Sequence, residues 1–164
     1  MLVTRCGRSK WSKQVFKFAI SVFGLLGLSL FLIGCVYLSL NEFMPYHAEA
    51  LQVSWADLNP NYRGLILGLI KGLGGGALVA GFAILFMVGV SVRKSPQPFL
   101  VLLPIVGIGY STFLCYATFT VYTSTPGNPP LLLTVLNIAA GVVASIALIL
   151  SQRHKPDVHS FGQD

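Results

Sequence analysis

The chain has 164 residues, of which 54% are hydrophobic and only 10% are charged, whereas a soluble domain typically carries about 25% charged residues. A chain of this length cannot bury so much apolar surface in water, so the composition excludes an ordinary soluble domain and indicates a protein embedded in lipid. The net charge of +6 would suit nucleic-acid binding in a soluble protein. Here the positions of the charges indicate membrane orientation instead, and no nucleic-acid partner is predicted.

Four long apolar segments follow a basic N-terminal stretch, residues 1–17, which we interpret as a cytoplasmic tail. Each segment reaches the about 20 residues that an α-helix needs to cross a bilayer. The segments are residues 18–40, 65–92, 99–122 and 131–150, and a polar tail of residues 151–164 follows them. The pattern predicts one all-α domain over residues 18–150, an integral membrane four-helix bundle.

The first apolar segment has an alternative interpretation. The sequence Leu32-Ile33-Gly34-Cys35 resembles the site that lipoprotein signal peptidase cuts, after a basic stretch and an apolar stretch. Cleavage would leave Cys35 as a lipidated N-terminus and only three spanning helices. The apolar run continues beyond the cysteine to Leu38, where a mature lipoprotein normally turns polar, so an uncleaved first span is favoured.

A longer connection, residues 41–63, joins the first two segments and contains two helix-start signals. Pro45 can begin a short helix because the N–H that proline lacks has no helical partner in a first turn. Asn59 can cap the second span, with Pro60 at the first helical position. Apolar and polar residues are mixed in this connection, so we predict a short amphipathic outer loop folded over the bundle.

The second apolar segment carries small residues at every fourth position, a spacing that places them on one ridge of an α-helix. The ridge consists of Gly64, Gly68, Gly72, Gly76 and Ala80. Such ridges let membrane helices pack closely, so we predict helix packing there, either within the bundle or between copies. We accordingly expect Gly72→Leu to unfold or disassemble the protein and Ala77→Leu to be milder.

Polar residues within three of the segments fall at one predicted depth. Lys71 and Asn137 each lie six residues inside their segments, which is about 9 Å at 1.5 Å per residue. Tyr116 falls in the same outer layer because the third segment runs the other way. An ionisable group inside a membrane indicates function, so these residues could form a binding cavity with Lys71 as its cationic floor. The alternatives are a lysine that extends toward the headgroups and an asparagine that links helices.

His47 and Glu42 in the outer loop form the grouping closest to a chemical site. Histidine can bind metal or carry protons near neutral pH, but a catalytic zinc usually needs three protein ligands, and the loop lacks their spacing. We therefore predict no catalytic residue, metal or cofactor, and we treat both residues as candidates for binding.

Basic residues are unevenly shared between the two sides that four spans define. Nine of the 11 lie in the N-terminal stretch, the second connection and the C-terminal tail. Because Lys and Arg are retained in cytoplasmic segments, both termini are predicted to be cytoplasmic. The predicted location is the cytoplasmic, or inner, membrane of a bacterium.

The loop segment Phe-Met-Pro-Tyr-His at residues 43–47, followed by Trp55 and a glycine-rich second span, resembles a group of bacterial four-span membrane proteins. The resemblance implies a four-span fold and no particular activity. The leading functional hypothesis is a non-enzymatic membrane subunit or scaffold that acts through helix packing, with the bilayer, a second copy or other membrane subunits as partners. The alternatives are a small transporter or channel subunit with a polar site in the outer half of the bilayer, and a membrane enzyme that acts on lipid headgroups through the outer loop.

Overall fold

Five α-helices and one short 3-10 helix make up the computed structural model of the protein, which describes residues 10–94 and 97–153. The helices are α1 (Lys10–Ser39), α2 (Pro45–Leu51), α3 (Pro60–Lys94), α4 (Gln97–Ser124) and α5 (Leu131–Arg153), and the 3-10 helix is Trp55–Asp57. These two described ranges contain no strand. Residues 1–9, which hold part of the predicted basic tail, and residues 154–164 of the C-terminal tail lie outside the described residues.

Four of the helices, α1, α3, α4 and α5, are long and apolar enough to cross a membrane. The helices also extend past the apolar segments into polar flanks; α3, for example, runs from Pro60 to Lys94 around the predicted span of residues 65–92. A helix continues in this way until a cap or a breaker ends it. The predicted all-α four-helix bundle is confirmed, and the chain is a multi-pass membrane protein.

The four long helices form a ring in the order α1, α3, α4, α5. Helix α1 packs most extensively against α3 and also against α5, whereas the contact between α3 and α4 is smaller. Side chains from all four helices meet in one core, whose fully buried members include Phe23, Leu30, Ile84, Leu103 and Leu148. The core therefore lies along the axis of the ring, with α1 and α4 diagonally opposite each other.

Glycines on both helices allow α1 and α3 to approach closely. A Cβ atom added to Gly34 would lie 2.5 Å from the backbone nitrogen of Leu78, and one added to Gly81 would collide with the backbone nitrogen of Phe31. Gly74 is similarly crowded by α1. Because backbone atoms cannot move aside as the end of a flexible side chain can, these positions require glycine at this helix separation.

The predicted ridge on α3 is divided between two environments. A Cβ atom added to Gly64, Gly68 or Gly72 would meet no atom within 4 Å. The prediction that these three glycines pack against another helix of the same bundle is therefore wrong. The last two members are packed, Gly76 against α4 and Ala80 in the core. Packing of these three glycines against a second copy of the chain stays a prediction.

The rotation of α3 about its axis explains this correction. At 3.6 residues per turn, Gly68 lies roughly opposite Ala77 and Gly81. Ala77 is fully buried between the glycines that face α1. A repeat of four residues predicts that small side chains share a face, but it does not predict which neighbour that face meets. For the isolated bundle, Gly72→Leu is therefore expected to be tolerated, because the added side chain meets open space.

The predicted helix starts in the connection between α1 and α3 are confirmed. Helix α2 begins at Pro45 and α3 begins at Pro60, and the side chain of Asn59 accepts a hydrogen bond from the backbone N–H of Asn61 at 2.9 Å. Arg63 donates to two backbone carbonyl oxygens of the preceding segment. These contacts tie the connection to the first turns of α3.

Helix α2 lies across one end of the bundle, which we name the α2 end. A Cβ atom added to Gly127, in the loop between α4 and α5, would meet the backbone oxygen of Tyr46 at 2.6 Å and the Cβ atom of Ala50 at 2.8 Å. The connection between α1 and α3 therefore reaches across to the α4–α5 loop. This position agrees with the loop predicted to fold over the bundle.

Helix α1 runs without interruption through Cys35, whose side chain is exposed. The part of α1 that precedes Cys35 supplies buried core residues, among them Phe23, Leu26 and Leu30. Cleavage before Cys35 would remove this part and leave α3 and α5 without the helix on which they pack. The described fold therefore requires an uncleaved first span.

Candidate functional site

A cavity of about 390 Å³ lies inside the bundle, in the half next to α2. All four long helices line the cavity, and α2 and the α4–α5 loop complete it at the α2 end. The volume falls within the range of about 300–1,000 Å³ that is typical of small-molecule sites. This cavity is the candidate functional site.

The direction of each helix gives the cavity a floor and a roof. Helices α1 and α4 run toward the α2 end, whereas α3 and α5 run away from it. Ala77, Leu114 and Asn137 therefore line the deep end, which we name the floor. Tyr46 and His47 of α2 line the shallow end, which we name the roof.

The walls between the roof and the floor are mainly aliphatic. Wall residues include Leu32, Val36, Leu73, Ala117 and Val121. The polar side chains of the lining are Tyr37, Tyr46, His47, Thr118, Thr134 and Asn137. No lysine, arginine, aspartate or glutamate of the described ranges belongs to the lining. A cavity that is mostly apolar, with a few polar groups, is typical of sites for lipid-soluble ligands.

Hydrogen bonds hold the roof in place. The hydroxyl oxygens of Tyr37 on α1 and Tyr46 on α2 are 2.7 Å apart, and the rings of Tyr46 and His47 have centroids 4.0 Å apart. The Nδ1 atom of His47 accepts a hydrogen bond from the backbone N–H of Met44 at 3.2 Å. The neutral imidazole therefore carries its proton on Nε2. Together these bonds attach α2 to α1 and fix its first turn.

Burial changes the protonation equilibria of two roof residues. It lowers the pKa of His47 below its ordinary value, because the charged imidazolium loses hydration. It raises the pKa of Tyr46, and the hydrogen bond with Tyr37 adds to that increase. Both His47 and Tyr46 are therefore uncharged at neutral pH.

Asn137 is the polar residue of the floor, and its amide differs from the threonine hydroxyl groups of the walls in its hydrogen bonding. Thr134 donates to the carbonyl oxygen of Leu131 at 2.8 Å, and Thr118 donates to a carbonyl oxygen of its own helix. The side-chain amide of Asn137 forms no hydrogen bond with any residue of the described part of the chain. An unpaired amide in apolar surroundings is unfavourable, so this amide has the capacity to bind a polar group.

The cavity opens sideways between α1 and α5. Its aliphatic lining includes Leu32 and Val36 of α1 and Leu133 of α5, and each of these three side chains is about half exposed. On the other side of the cavity, the hydroxyl of Tyr110 on α4 donates to the carbonyl oxygen of Leu73 on α3 at 2.8 Å and joins these two helices. Helices α1 and α5 therefore leave a gap that faces the surrounding lipid.

The structure brings two of the five predicted binding residues, Asn137 and His47, to the cavity. Lys71 is half-buried on another face of α3, Tyr116 is 70% exposed on α4, and Glu42 is exposed in the loop. These three do not belong to the lining, so Lys71 does not form the floor of this cavity, and a binding role for any of the three stays a prediction. A shared depth along neighbouring helices does not give side chains a shared direction.

Sequence reasoning missed the tyrosine pair in the roof. Tyr37 lies near the end of the first apolar segment, where a tyrosine usually indicates an interfacial position. Its hydroxyl instead bonds to Tyr46, nine residues away on a different helix. The position of Tyr37 can be noted from the sequence, but its hydrogen-bond partner depends on how α2 folds back over the bundle.

No protein-family model matches the chain, and no curated protein or solved structure matches it. Within the residues that the structure describes, no group of three His, Cys, Asp or Glu side chains is placed to hold a metal ion. Function is therefore inferred from the geometry of the cavity and of the helix surfaces.

Proposed function

We propose that this protein binds a lipid-soluble molecule in the cavity and belongs to the class of small transporters or channel subunits. The observation that supports the proposal is the cavity itself, about 390 Å³ with apolar walls, covered by α2 and open between α1 and α5. Close packing alone would fill such a space, because protein interiors normally contain few large voids. The geometry therefore favours the hypothesis of a small transporter or channel subunit over the hypothesis of a scaffold.

The proposed orientation places the α2 end outside the cell and both termini in the cytoplasm of a bacterium. Basic residues stand at the other end of the bundle, at the start of α1 and at the ends of α3 and α5: Lys10, Lys13, Lys17, Arg93, Lys94 and Arg153. Lysine and arginine are retained on the cytoplasmic side of bacterial membranes. In this orientation the gap between α1 and α5 opens into the outer leaflet.

A membrane enzyme acting on lipid headgroups has weaker support from the same geometry. His47 lines the cavity, but Glu42, its predicted neighbour, is exposed and does not belong to the lining. A general base acts through a positioned hydrogen bond to its substrate, and the Nδ1 atom of His47 is already engaged by the N–H of Met44. We therefore assign the cavity to binding.

A second candidate function is the membrane subunit or scaffold, which the open glycine face of α3 favours. Gly64, Gly68 and Gly72 have no neighbouring atom within 4 Å of an added Cβ. Glycine is unfavourable within a helix, and a row of glycines lets another membrane helix approach closely. A second copy of the chain suits this face, because a two-fold axis pairs the same surface of both subunits.

Photolabelling in lipid nanodiscs tests the binding proposal. The probe is a long-chain alkane that carries a diazirine, and labelled residues are located by mass spectrometry. We expect labels inside the cavity, at Leu73 and Ala77, as well as on lipid-facing surfaces. Ala117→Phe places a ring into the cavity from its wall, so it should reduce labelling of Leu73 and Ala77 several-fold.

Ala139→Phe provides the matched control. It adds the same ring to an exposed position of α5 that does not line the cavity, so labelling inside the cavity should be unchanged. Circular dichroism establishes that both variants remain helical. Equal cavity labelling in the two variants, or labels confined to exposed surfaces of the unsubstituted protein, would contradict the proposal.

A further inference from the structure

We infer that the ligand of the cavity is an uncharged amphiphile of the bilayer, with an apolar chain and a hydroxyl or carbonyl oxygen that the side-chain amide of Asn137 binds. This inference rests on the proposed function and adds to it the chemical class of the ligand, its point of attachment and its route of access. Three properties of the cavity support it: the charge of the lining, the amide at the floor and the side opening.

The lining provides no counter-charge for an ionic headgroup. No acidic side chain and no lysine or arginine of the described ranges lines the cavity. Lys71, the nearest candidate by depth, points from another face of α3, and Glu42 and Glu49 are exposed in the loop region. Burying an ion without a partner is strongly unfavourable. The site therefore discriminates against anionic and cationic amphiphiles.

The amide of Asn137 provides the attachment point for a neutral oxygen atom. An asparagine side chain offers two N–H donors and one carbonyl acceptor, so it can bind either a hydroxyl or a carbonyl group. The hydroxyl groups of Thr118 and Thr134 bond to carbonyl oxygens of their own helices. Asn137 has no such partner in the described chain, and it lies where the apolar walls end.

The route of access leads from the bilayer rather than from water. On the aqueous side, α2 covers the cavity, and the hydroxyl groups of Tyr37 and Tyr46 join α2 to α1. On the lipid side, Leu32 and Val36 of α1 and Leu133 of α5 line the cavity and are about half exposed, so they mark an opening between these two helices. A chain-bearing molecule can enter through this gap with its chain along apolar surface throughout.

Competition against the alkane photolabel tests the ligand class. Dodecane, dodecanol, dodecanoate and dodecyltrimethylammonium share one chain length and differ only in the end group. Each is added at equal mole fraction to nanodiscs that contain the intact chain. We expect dodecanol to reduce cavity labelling several-fold more than dodecane does, and the two charged probes to compete no better than dodecane.

Two substitutions on α5 test the attachment point. Asn137→Leu keeps the side-chain size but removes the amide, so dodecanol should lose its advantage over dodecane. Ser145→Ala is the matched control, about two turns farther along α5 and outside the cavity lining. Because the Ser145 hydroxyl donates to the carbonyl oxygen of Gly141, dodecanol should keep its advantage in that variant.

The possible results separate this inference from the proposed function. Strongest competition by dodecanoate or by dodecyltrimethylammonium would overturn the uncharged ligand while the cavity remained a binding site. An undiminished advantage of dodecanol in Asn137→Leu would overturn the role of the amide. Absence of alkane label from the cavity of the unsubstituted protein would overturn the proposed function and this inference together.

Discussion

His47 couples the roof of the cavity to the first turn of α2. Its Nδ1 atom must be unprotonated to accept the N–H of Met44, and a side chain three residues after the N-cap closes a helix start in this way. Burial lowers the pKa of His47 in the folded protein. Protonation would place a charge on a half-buried ring and remove the hydrogen bond, so acid should loosen the roof.

We predict that the protein becomes less stable as pH decreases and that protonation of His47 is a cause. Because the pKa of His47 is lower in the folded state, the unfolded state binds more protons as pH drops through the ordinary histidine value of about 6.5, and folding loses free energy there. The melting temperature in mild detergent should therefore decrease between about pH 7.5 and about pH 5.5.

His47→Gln is the control for that prediction, because a glutamine oxygen can still accept the N–H of Met44 without titrating. The decrease should be smaller in this variant by a few degrees. Glu49 on the same helix is present in both proteins, so its contribution cancels in the comparison. A decrease of equal size in both proteins would show that His47 is not the group responsible.

The sequence could identify Asn137 and His47 as candidates, but it could not separate them from Lys71. Asn137 and Lys71 stand out for the same reason, since each is a polar side chain six residues inside an apolar segment. They differ in direction around the helix axis, and that direction depends on the neighbours of α3 and α5. Tyr37 and Tyr46 form a pair only after α2 has folded back, so tertiary structure alone reveals the roof.

At the scale of a helix, α3 has a crowded face and an open face. The crowded face includes Ala77 and Gly81 and contacts α1, whereas the open face includes Gly64 and Gly72. The sequence predicted that small residues share a ridge, because a four-residue repeat follows from helix geometry alone. It could not predict the crowded face, since the second segment has small residues on nearly every side.

Leucine substitutions on the two faces should differ in stability. Gly81→Leu forces a side chain against the backbone of α1 at Phe31, so we expect a loss of about 1–3 kcal/mol or more, the usual range for overpacking. Gly72→Leu meets open space and replaces glycine with a better helix former, so we expect no loss and a gain of up to about 1 kcal/mol. Thermal unfolding in mild detergent measures both, and a larger loss for Gly72→Leu would refute the assigned rotation of α3.

The Gly72→Leu substitution also tests the scaffold candidate. If a second copy packs on the open face, native mass spectrometry from mild detergent should show a dimer for the unsubstituted protein and a monomer for Gly72→Leu. A monomeric unsubstituted protein would contradict the candidate. A dimer that survives the substitution would place the contact on another surface.

At the scale of the whole molecule, the cavity results from unequal contacts around the ring. Helix α3 follows α1 closely because glycines such as Gly74 and Gly81 remove side chains from the contact. Its contact with α4 is centred on the hydrogen bond between Tyr110 and Leu73. Helices α1 and α5 are joined at the opposite end of the bundle, where the hydroxyl of Ser12 donates to the carbonyl oxygen of Ser151. They separate toward the α2 end, and the space between them becomes the opening of the cavity.

The number of spans was predictable from the sequence, whereas the order of the helices in the ring was not. Length and apolar composition set the four crossings, because lipid requires continuous helices with satisfied backbone hydrogen bonds. All four segments are similarly apolar, so composition does not indicate which pairs are adjacent. The gap between α1 and α5 depends on that order and could be identified only from the structure.

The last prediction concerns which end of the bundle faces the cytoplasm. In a variant whose native cysteines, Cys6, Cys35 and Cys115, are replaced by alanine, a single cysteine is introduced as Glu49→Cys on α2 or as Arg153→Cys at the end of α5. A membrane-impermeant maleimide should label Glu49→Cys in intact cells and Arg153→Cys only after lysis, because basic flanks remain inside. Labelling of Arg153→Cys alone in intact cells would invert the orientation. It would move the gap between α1 and α5 to the inner leaflet, and with it the source of the ligand, while the bundle and its cavity stayed the same.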